Sequence, residues 1–273
     1  MRRISITGKS LFVTIGTMKS GTSSLHHYMR MHPDIHMSWV KETDHFKQPK
    51  PPLGGMLRYK LLLTGTGQVV GETSPNYTKS LIFPGVAERM HAVVPDARLI
   101  YILRDPVARA LSHYHHNRLH GREQRTLDEA FVTDEDNNYV ITSRYYAQLD
   151  EFLRFYPADR ILILDFAELV GAPKDVMRRV FNFVGVDPSF VHPNFGKVYH
   201  DSKNKRQPNS LGRMINDIPV VRQARYLLPW IFEKQLERPR LGDATRSRIE
   251  DWLRVDAGKM RDFSELSFDS WSV

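Results

Sequence analysis

The stretch "SLFVTIGTMKSGTSSLHHYMRM", Ser10–Met31, decides how the rest of the chain is read. An apolar run from Leu11 to Ile15 ends at Gly16, and a turn containing Gly21 feeds a segment with Leu25, Tyr28 and Met29 at helical spacing that stops before Pro33. The pattern predicts strand, glycine turn and helix. Such a turn aims backbone N–H groups and the positive end of a helix dipole at one spot, which suits a phosphate-sized anion. Gly16 and Gly21 have the spacing of a nucleoside triphosphatase loop, but Thr22 stands where the lysine of that loop should follow, and the cation, Lys19, lies inside the turn. The candidate anion ligands are therefore Lys19, Ser20, Gly21, Thr22 and Ser23.

Outward from this loop, apolar runs alternate with amphipathic ones. Gln68–Glu72 and Ala97–Leu103 read as strands, the second almost continuously apolar and so interior to a parallel sheet. "DPVARALSHYHHNRL" reads as a helix with Asp105 at its start and Pro106 in its first turn. "SRYYAQLDEFLRFYP" is amphipathic, "RILILDF" is a buried strand, and "PKDVMRRVFNFVG" is a helix closed by Gly185. The aromatic residues Tyr145, Tyr146, Phe152, Phe155 and Tyr156 recur at helical spacing and are expected in the core. After Gly185 the chain becomes rich in Pro, Asn, Ser and Lys, which predicts a long functional loop before a terminal helix in "ATRSRIEDWLRVDAGKMRDF". The alternation predicts an α/β fold: a central, mostly parallel sheet flanked by helices, in one domain over residues 1–273.

Composition narrows the partners. The chain has 39 Lys plus Arg against 31 Asp plus Glu, a net charge of +8, which favours anionic ligands. The basic residues are dispersed, so no nucleic-acid stripe is expected. Zero cysteines exclude disulfides, thiolate metal sites and cysteine nucleophiles. No apolar run reaches the length of a membrane span, and no apolar region follows Arg2 and Arg3, so neither a transmembrane segment nor a signal peptide is expected and a cytoplasmic location is.

A second anion site is readable in "LRDPVARALSHY". Arg104 ends a buried strand and Ser112 follows about two helical turns later, so both can face the carboxyl edge of the sheet, where open α/β folds bind ligands. Two anion sites on separate strand-to-helix turns point to a nucleotide phosphorylated at both ends. His113, His115, His116 and His120 follow at helical spacing but lack a carboxylate partner, so a solvated or cleft-lining face is expected and no metal.

Taken together, these segments resemble the sulfotransferases that use 3′-phosphoadenosine 5′-phosphosulfate (PAPS), in particular the heparan-sulfate type and its bacterial relatives. "IGTMKSGTSSL" resembles the family's 5′-phosphosulfate loop and "YILRDPVARALSHY" its 3′-phosphate motif. "MHPDI", "KETDHF", "GETSPNY", "SRYYAQLDEFLRFYP" and "SKNKRQP" resemble the family's other landmarks in the same order. The resemblance implies that Lys19, Ser20, Gly21, Thr22 and Ser23 hold the 5′-phosphate, with Lys19 also on the leaving oxygen, and that Arg104 and Ser112 hold the 3′-phosphate. It implies Glu42 as general base, a cofactor-closing loop that draws on Lys203, Lys205 or Arg206, and no metal. The acceptor it implies is a hydroxyl or amine of a carbohydrate, glycolipid or small hydroxylated metabolite. Asp44 and Thr73 depart from the glycan-modifying relatives, which commonly carry histidine and lysine there, and Thr73 removes a cation from the acceptor side. Two other readings stay open: a nucleotide kinase, which would need Mg²⁺ and a lysine after Gly21, and a non-catalytic nucleotide or polyanion binder, for which Glu42 would be dispensable.

Overall fold

The computed structural model describes residues 8–50, 53–133, 137–199, 206–208, 233–235 and 240–273. Strand β1 (Ser10–Gly16) runs through the middle of a five-stranded parallel sheet, with β2 (Ile35–Met37), β3 (Val69–Thr73), β4 (Arg98–Leu103) and β5 (Ile161–Asp165) in the order β2-β3-β1-β4-β5. Because successive strand residues point to opposite faces, a continuously apolar strand feeds two cores at once. Val13 and Ile15 of β1 and Leu99, Tyr101 and Leu103 of β4 enter one core; Phe12, Ile100 and Ile102 enter the other. All eight are fully buried. This double burial explains why β4 carries no polar alternation in its sequence.

The helices that cover these faces are α1 (Thr22–Met29), α2 (Gly55–Leu62), α3 (Val86–Val93), α4 (Pro106–Leu119), α5 (Tyr145–Leu153), α6 (Pro173–Val184) and α7 (Asp243–Ser264). In α6 the residues Val176, Met177, Val180, Phe181 and Val184 form one buried stripe beneath β4 and β5. On the opposite face Tyr145, Phe152 and Tyr156 are buried with α3, and Tyr146 and Phe155 pack at the margin, as their spacing predicts. Helix α7 reaches back to this region: both carboxylate oxygens of Asp256 accept from the first-turn N–H groups of Tyr146 and Ala147, at 3.0 and 2.9 Å, and so cap α5. Arg206–Pro208 pairs antiparallel with Glu233–Gln235, apart from the main sheet.

Strand β2 and helices α2 and α3 were not legible as elements in the sequence. Ile35–Met37 is too short to show a period, and it exists because β3 offers it an edge to pair with. Gly71 shows what the pairing of β3 with β1 demands: a Cβ there would stand 2.1 Å from the Phe12 ring, so glycine in β3 is what lets the Phe12 ring of β1 cross its neighbour.

Asp105 ties the second strand-to-helix turn to the chain terminus. One carboxylate oxygen caps α4 by accepting from Ala108 N at 2.6 Å, and the other accepts from Ser272 N and Oγ at 2.6 and 2.9 Å. Asp105→Ala is expected to lower stability by about 1–2 kcal/mol, the usual cost of a lost N-cap. Urea unfolding with an unchanged m-value would report it, and an unshifted midpoint would mean that water replaces the cap.

Candidate functional site

The carboxyl ends of β1, β2 and β4 each release a segment that carries candidate residues, and β3 lies between β2 and β1. After β1, Thr17 N donates to Ile102 O at 2.9 Å and Ser20 N to Thr17 O at 3.2 Å, which folds residues 17–21 into a tight turn beside β4. Lys19 takes a positive φ of 76°, uncommon for a side-chain-bearing residue, and Gly21 follows at 84° as the N-cap of α1. No side chain caps α1, so its first-turn N–H groups at Thr22 and Ser23 face the hollow of the loop. Among the described residues the buried Ser20 and Thr17 hydroxyls make no hydrogen bond of good geometry, their polar neighbours being the Tyr145 and Tyr101 hydroxyls. Lys19 and Ser23 are half-buried. Buried hydroxyls, first-turn N–H groups without a side-chain cap among the described residues, and a lysine form a donor set that suits a phosphate or sulfate.

Arg104 and Ser112 follow β4. Arg104 is half-buried, with its guanidinium 5.3 Å from the centre of the Phe166 ring and its carbonyl accepting from Tyr145 Oη at 2.8 Å. Ser112 is half-buried in α4. The same Phe166 ring lies against Gly21, where an added Cβ would meet Phe166 Cδ2 at 2.6 Å. One aromatic residue after β5 therefore touches both strand-to-helix turns. Nothing in the sequence singled out Phe166, because its role depends on three strands being neighbours.

Glu42 lies beyond β2 in the segment Lys41–Asp44, which is fastened to the end of β3 at three successive residues. Glu42 N donates to Thr73 O at 2.9 Å, Thr43 Oγ1 donates to Glu72, and Asp44 N donates to Ser74 Oγ at 3.1 Å. Glu42 and Asp44 both have positive φ, 62° and 50°, conformations held only where the surroundings over-determine them. The Glu42 carboxylate is exposed and pairs with Lys41 Nζ at 2.5 Å; Asp44 pairs with Lys47 at 2.8 Å. His45 is stacked on Tyr59, with ring centroids 4.5 Å apart, and burial lowers its pKa.

The anchor beneath this segment is Glu72, a fully buried carboxylate within "GETSPNY" that nothing local in the sequence sets apart. It accepts from Thr43, from Tyr59 Oη at 3.2 Å and Tyr77 Oη at 3.1 Å, and from Ser74 Oγ at 3.4 Å. Burial pushes its pKa up to about 7 against the pull of these donors. Thr73 accepts or donates a bond with His26 Nδ1 at 3.1 Å; burial and the nearby Lys41 bring His26 down to about 3, so its ring is neutral.

Arg109 is the largest fully buried charged residue of α4: its Nε donates to Ser143 Oγ at 2.7 Å and it also donates to Tyr139 O. Arg109 Nη1 stands 3.5 Å from His113 Nδ1, and burial together with this guanidinium depresses the His113 pKa strongly. His120 Nδ1 lies 2.7 Å from the His116 carbonyl. Among the described residues no group of three or more His, Asp or Glu is arranged to hold a metal ion.

Of the basic loop, Lys203 and Lys205 lie outside the described residues, and Arg206 is described only as backbone in the short ribbon. The chain leading to it is well anchored. Gly196 N donates to Tyr28 Oη and Tyr28 Oη to Lys197 O, both at 2.9 Å, and Tyr199 N donates to Ser24 Oγ at 3.2 Å while its ring stacks on His27. Residues 195–199 thus cross α1 and reach its first turn, next to the loop that holds Lys19. Among the described residues no helix is long and apolar enough to cross a membrane.

Comparison with known proteins gives this geometry a family. The family model described as "Sulfotransferase domain" matches residues 9–225. The chain is 26% identical over 277 residues to bifunctional heparan sulfate N-deacetylase/N-sulfotransferase 2 of Homo sapiens, covering 90% of this chain and 31% of that protein. It is 31% identical over 189 residues to heparan sulfate glucosamine 3-O-sulfotransferase 6 of Homo sapiens, covering 63% of this chain and 51% of that one. The chain therefore spans about a third to a half of the length of these relatives. A crystal structure of a sulfotransferase from Alicyclobacillus acidocaldarius superposes with a TM-score of 0.71 at 23% identity, covering 97% of this chain and 99% of the other, and shows the same fold.

Proposed function

The chain belongs to the sulfotransferase family, and on that premise we propose that it is an enzyme that transfers the sulfuryl group of PAPS to a hydroxyl or amine of a carbohydrate, glycolipid or small hydroxylated metabolite. The observation that carries the reading is the juxtaposition at one sheet edge: an anion loop whose cation lies in the turn, a second arginine-bearing turn joined to it through Phe166, and a carboxylate on a strained segment clamped to β3, the strand on the other side of β1. The two anion turns fit a ligand with a phosphate at each end. A kinase reading lacks its lysine, since Thr22 follows Gly21.

In this assignment Lys19, Ser20, Gly21, Thr22 and Ser23 hold the 5′-phosphosulfate, and Arg104 and Ser112 hold the 3′-phosphate. Bound PAPS supplies the sulfuryl group: the acceptor oxygen or nitrogen bonds to sulfur as the bond from sulfur to the 5′-phosphate oxygen breaks, its electron pair leaving with PAP. Glu42 takes the acceptor's proton as that bond forms, for which its exposed carboxylate needs only to exchange Lys41 for the acceptor. Lys19 donates to the oxygen on which negative charge develops, and the remainder of the rate enhancement is positioning. Lys203, Lys205 and Arg206 are assigned to closure over the nucleotide, on the support that Tyr199 fastens the preceding chain to Ser24.

PAP is expected to raise the thermal midpoint of EDTA-treated protein, because a ligand specific for the folded state stabilises by about 2.7 kcal/mol at a hundred times its Kd. Differential scanning with PAP, PAPS, ADP and ATP plus Mg²⁺ checks it. A response to ATP with Mg²⁺ and none to PAP would assign the chain to the kinase reading instead.

A further inference from the structure

Lys79 is a lysine that the motifs left unused, and the fold has drawn it into the site. It lies six residues beyond β3, is only 8% exposed, and its Nζ stands 3.1 Å from the sulfur of Met18, the residue that precedes Lys19 in the anion loop. A thioether is a weak acceptor for an ammonium. Among the described residues the titratable groups near Lys79 are Arg109 and Lys47, which repel it, Asp44 and Glu42, which attract it, and the His113 ring, whose pKa is depressed by burial, Arg109 and Lys79. Both carboxylates already have closer cations, Glu42 with Lys41 at 2.5 Å and Asp44 with Lys47 at 2.8 Å. Arg109, whose donors go to Ser143 Oγ, Tyr139 O and the His113 ring, brings no carboxylate to the cluster. The result is a nearly buried ammonium beside the anion loop, within the electrostatic reach of Asp44 and Glu42, whose hydrogen-bond partner among the described residues is a sulfur atom.

Burying such a group costs free energy unless an anion completes it. A helix-packing or surface lysine would instead place its head in water or on a carboxylate. The location limits which anion that is: the phosphate belongs to the loop on one side of Met18, and the acceptor's proton goes to Glu42 on the other.

We propose that Lys79 is a donor-binding residue whose ammonium holds the sulfuryl oxygens of PAPS between the Met18–Lys19 turn and Glu42. The proposal rests on the sulfotransferase reading and adds to it a ligand for the one part of the donor that PAP lacks. Binding of the sulfuryl group keeps Lys79 protonated. In the free protein, burial and the neighbouring Arg109 lower its pKa to about 8, whereas Arg109 is brought only to about 10.

The test is calorimetric titration of wild type and Lys79→Met with PAPS and with PAP at neutral pH. Lys79→Met keeps the length of the side chain and suits a buried position beside Met18. The expected result is a loss of PAPS affinity of about ten- to a hundredfold, the range for a charge-assisted contact, with PAP affinity within about twofold of wild type. Lys79→Arg should recover part of the loss. An equal fall for both ligands, or no fall for either, overturns the assignment. A wild-type protein that binds neither ligand overturns the sulfotransferase reading itself, so the two failures are distinct. Wild type alone offers a second measurement should Lys79→Met fail to fold. Near pH 8.5, in buffers of different ionisation enthalpy, PAPS binding should take up more protons than PAP binding, because only PAPS returns the proton to Lys79. Equal proton uptake by the two ligands likewise overturns the proposal.

Discussion

Glu42→Gln is expected to lower turnover by about 10²- to 10⁴-fold while leaving PAP affinity within about twofold, the signature of a lost general base. The reason for the asymmetry is in the wiring of the Lys41–Asp44 segment. Its backbone and Thr43 are held by Thr73, Glu72 and Ser74, so the positive φ at Glu42 is maintained by contacts that do not involve the Glu42 side chain. The amide of glutamine therefore occupies the same place without basicity. The nucleotide ligands assigned above come from β1 and β4, on whose turns Glu42 makes no hydrogen bond among those described. A transfer assay on an identified acceptor, paired with PAP titration, decides the matter: wild-type turnover would move the base elsewhere, and a matching loss of PAP affinity would make Glu42 a structural residue. Asp44 is the natural second candidate in the first case, but it is held by Lys47 at 2.8 Å and by Asn76 at 3.3 Å.

Arg104→Ala is expected to weaken PAP binding by about ten- to a hundredfold, as a charge-assisted bond contributes roughly 1.5–3 kcal/mol. Binding of adenosine 5′-phosphosulfate, which lacks the 3′-phosphate, should hardly change. The comparison separates recognition from folding. Loss of the guanidinium also removes its contact with Phe166, worth about 0.5–1 kcal/mol at a partly exposed site, but that loss bears on both ligands alike. Calorimetry of wild type and variant with each ligand reads the difference directly. Equal losses would show that Arg104 serves mainly to seat Phe166 against Gly21, and would remove the second anion site from the assignment.

Arg104 and Glu42 differ in how far the sequence alone marks them. Arg104 is visible because a continuously apolar strand ends at Leu103 and a proline-started helix begins at Pro106, so its position at a strand end is local information. Glu42 is not visible in that way. Nothing local distinguishes it from a solvated loop carboxylate, and only its place in "KETDHF", set by resemblance, drew attention to it. The structure gives it a physical distinction, a strained backbone pinned at three points to β3. Glu72, Phe166 and Lys79 are less legible still. Glu72 reads as a strand-end residue until Tyr59, Tyr77 and Thr43 are seen to converge on it from three separate segments, and Lys79 reads as a surface lysine until Met18 and the carboxylate-bearing Lys41–Asp44 segment close around it.

What the sequence determined by itself is whatever depends on period and punctuation: the apolar strands β1, β4 and β5, the stripe of α6, the glycine turn before α1, the Asp105-Pro106 start of α4, and hence the α/β class. These are short-range consequences of alternating or helical burial and of backbone freedom at single residues. The tertiary structure alone decided that β3 and β4 flank β1, so that the turns after β1 and β4 share Phe166. It also decided that a three-residue β2 forms at all, by offering it an edge, and that Gly71 must be bare for Phe12 to cross it. Charges are the clearest case. The sequence supplies 39 basic side chains of similar appearance, and desolvation by the folded chain is what sets Lys79 apart from the other lysines described, because the cost of burying an ammonium depends on neighbours that are far away along the chain.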